Sequence, residues 1–217
     1  MSDIFNEVDE EVRREKLQKL WERHQGLIVG GAILIVAAVG GWRGYDWYQS
    51  KQAAEAGGAF QAAMQLDAEG KHAEAEAAFA KVADKGIAGY RDLARLQAAS
   101  AVAQRDPKAA VEAYDAIAAD SRISDVLRDV AAVRAGFLLV DTASYDDMRR
   151  RLEPVAAAGR PFRHSARELL ALSALRANDD ATARKWFDQI VTDVSAPVAL
   201  RQRIEMLMAL SADTGNS

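Results

Sequence analysis

The sequence predicts an all-α protein: one apolar helix of membrane-spanning length near the N-terminus, then an array of helix–turn–helix repeats. Three observations predict it. The chain is rich in alanine, with Glu, Lys, Arg and Leu, and only 7% of it is aromatic; alanine enters a helix without losing side-chain entropy. The sixteen residues from Leu27 to Trp42 carry no charge. From Gln52 onward one pattern of small, polar and large residues returns four times. The 217 residues suffice for one medium domain plus appendages. A net charge of −4 gives no reason to expect nucleic-acid binding, which usually needs a basic face. The lack of cysteine excludes disulfides, a lipidated cysteine and thiolate metal sites.

Residues 1–25 read as one cytoplasmic amphipathic helix running into the apolar stretch. Ile4, Phe5, Val8 and Val12 lie on one stripe, which Leu17, Leu20 and Trp21 continue. Glu15 and Lys19 are four apart and support the helix. Such a segment lies on the inner membrane surface or docks on a partner; the surface is favoured because the basic half is nearest the bilayer.

Residues 26–48 read as a transmembrane signal anchor. Leu27 to Trp42 alone give about 24 Å of helix, and a hydrocarbon core of about 30 Å wants about 20 residues. Gly26 extends the run at one end. At the other, Arg43 can snorkel to the headgroups, and Trp42, Tyr45, Trp47 and Tyr48 form an aromatic belt. With Arg23 on the opposite side, these are the membrane-interface anchors. A cleaved export signal fits poorly, because the preceding 25 residues carry seven carboxylates where a short basic segment is needed. A buried core helix fits worse, since a soluble helix keeps a polar face and this one has none. Arg13, Arg14, Lys16, Lys19 and Arg23 precede the span, while Arg43 and Lys51 follow it. That bias puts the N-terminus in the cytoplasm and the rest outside, in the periplasm of a Gram-negative cell. Gly26 and Gly30, and Gly40 and Gly44, have the spacing that lets two membrane helices approach, although glycine is common in such helices anyway.

Residues 49–212 read as the repeat domain. Four segments stack: 61–82, 96–117, 135–155 and 169–190. Each has a helix of small and apolar residues, a polar break, then a second helix ending in a large and a β-branched residue. The large residues are Phe79, Tyr114, Leu152 and Phe187; the β-branched ones are Val82, Ile117, Val155 and Ile190. Both sets are spaced 35, 38 and 35 apart. Ala75, Ala110 and Ala183 stand four before the aromatic, where helices must approach closely. The breaks hold turn and N-cap residues: Gly70-Lys71, Asp106-Pro107, Thr142-Ala143-Ser144 and Asn178-Asp179-Asp180. A period near 34 in helix–turn–helix units is the tetratricopeptide signature. The units are degenerate: none carries the Trp, Gly, Tyr set in its first helix, and the terminal proline is missing. A last helix from Pro197 to Ala212 is expected to cap the array, and residues 213–217 to fray. Such arrays form a concave groove lined by the first helix of each pair, suited to holding peptide or protein.

The same residues give no catalytic or metal constellation. His24 is at the membrane boundary. His72 is in a turn beside Lys71, solvated or capping. His164 is near a helix start, with Arg160, Arg163 and Arg167 around it, and no second ligand type falls at metal spacing with any of the three. No phosphate-binding glycine loop and no Gly-x-Ser-x-Gly elbow are present. Arg149-Arg150-Arg151 reads as a solvated helix face, with an acidic partner or headgroup as the alternative. A non-enzyme with no cofactor, no metal and no small-molecule substrate is expected.

The order of parts resembles the YfgM family, an ancillary subunit of the bacterial SecYEG translocon whose exported domain is related to the TPR-like domain of the CpoB type. The GGWR exit from the apolar stretch and the following AAEAGGAFQAAMQ carry the best local likeness, as does the opening SDIFNEVDEEVRREKLQKLWERH. The resemblance implies a single-pass inner-membrane protein beside the translocon, paired with a membrane-anchored periplasmic chaperone of the PpiD type, that helps pass exported polypeptides to periplasmic folding factors. A scaffold of envelope or division machinery, or a stress regulator acting through the cytoplasmic helix, are the alternatives.

Overall fold

The computed structural model describes the backbone of residues 3–214, and the side chains from Trp21 to Ala209 other than those of Glu22, Arg23, Ile28 and Ala88. The predicted stripe from Ile4 to Leu20 and the Arg23 anchor fall outside these described side chains. Among the described residues all regular structure is helical: α1 (Asp3–Ala68), α2 (His72–Lys85), α3 (Ala88–Ala103), α4 (Pro107–Ala118), α5 (Asp125–Leu139), α6 (Tyr145–Ala156), α7 (Arg163–Arg176), α8 (Asp180–Val191) and α9 (Val198–Thr214). The final helix runs two residues past the expected Ala212, and residues 215–217 lie outside the described residues. The chain divides into two compact units, Met1–Ala54 and Glu55–Ser217.

In the second unit the helices end where the local chemistry stops them. Gly70 (φ 75°) lets Lys71 N–H reach the Leu66 carbonyl at 2.9 Å and its own N–H reach that of Asp67 at 3.0 Å. That bond pair closes a helix with a left-handed residue. Asn178 (φ 59°) does the same at the fourth break, with Asp179 N–H on Ala174 and its own N–H on Leu175, both at 2.9 Å. Three restarts, those of α4, α6 and α8, are capped by side chains. Asp106 Oδ1 accepts from Ala109 N–H at 3.0 Å, with Pro107 in the first helical position. Ser144 Oγ accepts from Asp147 N–H at 3.2 Å, and Asp179 Oδ1 from Thr182 N–H at 2.9 Å.

Each second helix is buried between its own first helix and the next one. The residues of four clusters show the relay. Ala63, Phe79 and Ala94 join the end of α1 to α2 and α3. Ala99, Tyr114 and Ala131 join α3, α4 and α5. Val133, Leu152 and Leu169 join α5, α6 and α7. Ala171, Phe187 and Ile204 join α7, α8 and α9. First helices also touch successive first helices, α3 on α5 and α5 on α7. This is the neighbour-to-neighbour packing of a repeat array, in which no helix pair closes a core alone.

In the first unit the apolar stretch shows no polar face. Leu27, Leu34, Val36 and Val39 are exposed, and the stretch is long and apolar enough to cross a membrane, with a mean hydropathy of 1.8 and no burial in its most apolar window.

Candidate protein-binding groove

The packing residues set where the first helices point. Ala75, Phe79 and Val82 are buried, as are Ala110, Tyr114 and Ile117, then Leu152 and Val155, then Ala183, Phe187 and Ile190. The third unit departs from the others. Where its neighbours have alanine four before the large residue, it has Met148, fully buried, and its large residue is Leu152 instead of an aromatic. The facing first helix answers with Gly136. A Cβ there would stand 3.0 Å from Leu152 Cδ1 and 3.2 Å from Leu169 Cδ1. The other first helices offer alanine to their clusters, Ala63, Ala99 and Ala171. Gly136 thus lets Leu152 and Leu169 approach the α5 backbone more closely than an alanine would allow.

This packing leaves a cleft of about 580 Å³ on the face formed by α3, α5 and the start of α7. Ser100, Tyr114, Arg134, Phe137, Phe162 and Ser165 are among its lining residues. Tyr114 has two roles: it packs in the core, and with Ser100 it lines the cleft. Burial pushes the Tyr114 hydroxyl's pKa up, so it remains a proton donor. Phe137 projects from the rim, 55% exposed. A second hollow of about 420 Å³ lies over α4 and α6, lined by Val111, Leu139, Arg150 and Arg151.

The repeats are also tied together by arginines that the sequence period does not announce. Arg105 binds Glu76, Arg95 binds Asp120 at 2.8 Å, and Arg160 binds Asp129 at 2.5 Å. Arg163 binds Asp193 at 2.9 Å, and Arg203 binds Glu168 at 2.6 Å. Arg167 is the most buried of the set. Its Nε donates to the Ala156 carbonyl and its Nη1 to the Gln189 carbonyl, each at 3.0 Å. One guanidinium therefore serves the C-terminal ends of α6 and α8, where helix dipoles favour a cation.

These contacts refine two readings of charged residues. Arg149 and Arg150 lie exposed on a helix face, and only the half-buried Arg151 departs from it. Arg149 stands 3.7 Å from Asp146, Arg150 binds Asp147, and Arg151 crosses to Asp115 of the preceding unit. His72 is neither free nor a cap: its Nδ1 lies 2.8 Å from Asp67 Oδ1 across the turn.

Near His164 the fold assembles a serine, a histidine and an aspartate, in the wrong order for nucleophilic catalysis. A working triad has the imidazole between the other two, one nitrogen on each. Here Ser195 Oγ donates directly to Asp193 Oδ1 at 2.6 Å. His164 Nε2 faces both, 3.4 Å from Ser195 Oγ and 3.7 Å from Asp193 Oδ2, and the buried Nδ1 has no hydrogen-bond partner. Bonds from Arg163 and Ser195 hold the Asp193 carboxyl well below the usual carboxylate range. Burial, then Arg163, push the His164 pKa down. The cluster pins the loop after α8 onto α7. Among the described residues no three His, Cys, Asp or Glu side chains gather as a metal set.

In the first unit the aromatics expected to be anchors are all exposed: Trp42, Tyr45, Trp47 and Tyr48. Two of their hydroxyls are engaged, Tyr45 by Gln49 and Tyr48 by Gln52, both at 2.7 Å. Lys51 Nζ sits 5.7 Å over the Trp47 ring, and Arg43 is exposed beside Trp42.

No curated protein and no solved structure matches the chain. One family model does, the tetratricopeptide repeat-like domain, over residues 18–209, a stretch that takes in the apolar segment as well as the repeats. Repeats of this kind are typically non-catalytic protein–protein interaction scaffolds. With most of its length matched, the chain belongs to the tetratricopeptide repeat-like domain family.

Proposed function

We propose that the protein is a non-enzymatic inner-membrane adaptor of the YfgM type. Residues 1–25 stay in the cytoplasm, residues 26–48 span the inner membrane, and residues 49–212 hold protein partners in the periplasm. Its partners are the SecYEG translocon and a membrane-anchored chaperone of the PpiD type, and its work is to help pass emerging polypeptides to periplasmic folding factors. One observation carries the reading: a single chain joins a helix apolar all round to a repeat array with an open, partly apolar cleft on its first helices. The family match supports it by starting at Gln18, ahead of the apolar stretch, which suits an uncleaved anchor better than a removable leader. The lysine and arginine bias sets the orientation. The reversed order around His164 supports a protein without catalysis.

In-cell crosslinking of the full-length protein, mild-detergent isolation and mass spectrometry test the role. Translocon subunits and a membrane-anchored chaperone are the expected leading partners. Division or cell-wall proteins in their place would sink the translocon role while leaving anchor and array intact.

A further inference from the structure

We propose that the cleft on α3, α5 and α7 selects a protein segment that presents a carboxylate beside an apolar side chain. This rests on the groove's being a protein-binding surface and names the chemistry it prefers. Arg134 carries the argument. It is the charged residue among the cleft's lining, and no carboxylate shares that lining. It is exposed and makes no ion pair among the described residues. The other arginines of α5, of α7 and of the turn before α7 are occupied: Arg128 by Asp125, Arg160 by Asp129, Arg163 by Asp193, Arg167 by the Ala156 and Gln189 carbonyls, and Arg176 by the Val140 and Ala143 carbonyls. The fold thus satisfies the guanidinium groups around the cleft and leaves the one at its mouth open. Beside it, Phe137 offers an exposed ring, and Val130, Val133 and Phe162 make an apolar wall. The hydroxyls of Ser100, Ser165 and Tyr114 add neutral hydrogen-bonding groups. A carboxylate reaching Arg134 gains a charge-assisted bond, its apolar neighbour covers Phe137, and a lysine in its place meets like charge with nothing to offset it.

The test uses the full-length protein in detergent micelles and fluorescence anisotropy. Three labelled peptides share a central Leu-Phe and differ at the next residue: Glu, Gln or Lys. The Glu peptide is expected to bind about tenfold tighter than the Gln peptide at low salt, and the Lys peptide weakest. Arg134→Gln should erase the Glu-over-Gln difference and leave the Gln peptide unchanged. Phe137→Ser should weaken all three. Both side chains are exposed, and helical circular dichroism checks that the variants fold. Equal binding of the three peptides, or a Glu preference that survives Arg134→Gln, overturns the inference while leaving the groove a peptide site. No binding by any peptide overturns the groove reading itself.

Discussion

The apolar stretch before Tyr48 and the repeats after Glu55 use the same materials to opposite ends. Both are helical, and both mix small residues with large aliphatic ones. In the first, Leu27, Leu34, Val36 and Trp42 are each more than 70% exposed, and added Cβ atoms on its glycines would meet nothing within 4 Å. In the second, Phe79, Leu152, Phe187 and Ile190 are at most 1% exposed, and a Cβ on Gly136 would crowd two leucines. The difference lies in angular distribution. Repeat helices place large residues on one side, so a neighbouring helix can cover them. The apolar stretch places them all round, so no single neighbour could. Its burial requires an apolar solvent, whereas the array supplies its own.

That contrast predicts where charge and where cavity do the most damage. Leu34→Arg together with Val36→Arg places two charges at mid-span, costing about 5–7 kcal/mol of insertion. Membrane fractionation should show the protein leaving the bilayer while the array still melts as wild type. Truncating an array residue should do the reverse. Phe187→Ala removes the anchor of the α7–α8–α9 cluster and should cost about 3–5 kcal/mol in denaturant unfolding, with membrane attachment unchanged. Arg167→Met should cost about 3 kcal/mol, because two helix-end carbonyls lose their donor and Asp193 loses one of its cations.

The smallest expected effect is a pH dependence at the same junction. Arg163, Arg167 and Asp193 face His164, and the imidazole is held neutral below its ordinary pKa of about 6.5. The unfolded chain then binds the proton first. Stability from this group is present above pH about 6.5 and is lost as pH falls toward the lowered value. His164→Gln should flatten the melting curve's pH dependence over that window. Asp193 acts later: its depressed pKa gives stability that persists above the carboxylate range and disappears only on strong acidification.

Much of the array was legible because its signal is local and periodic. Spacings of 35, 38 and 35 located four packed pairs, and Gly70, Asp106, Ser144 and Asn178-Asp179 marked the breaks through φ and capping chemistry. The close approach of Leu152 and Leu169 to Gly136 was hidden, since glycine inside α5 reads as a weak helix former until the facing residues are known. The arginine ties were hidden for a related reason. Arg151 and Asp115 are 36 residues apart, so the triple arginine run looked free when read alone. The inner cleft depended on which first-helix side chains were left after packing. Only the fold shows that Arg134 is unpaired while Arg128 and Arg160 are not. His72 shows the limit at short range as well: Asp67, five residues back, comes within reach only because Gly70 turns the chain.

The absence of cysteine permits one direct test of the two-solvent picture. Single substitutions Val36→Cys and Ala181→Cys, made separately, would be exposed in intact spheroplasts to a membrane-impermeant maleimide, then again after detergent. Ala181→Cys should label in intact spheroplasts, and Val36→Cys should label only once detergent replaces the bilayer. Labelling of Val36→Cys without detergent, or protection of Ala181→Cys until the cells are lysed, would contradict an anchored helix with its repeat array on the outer side.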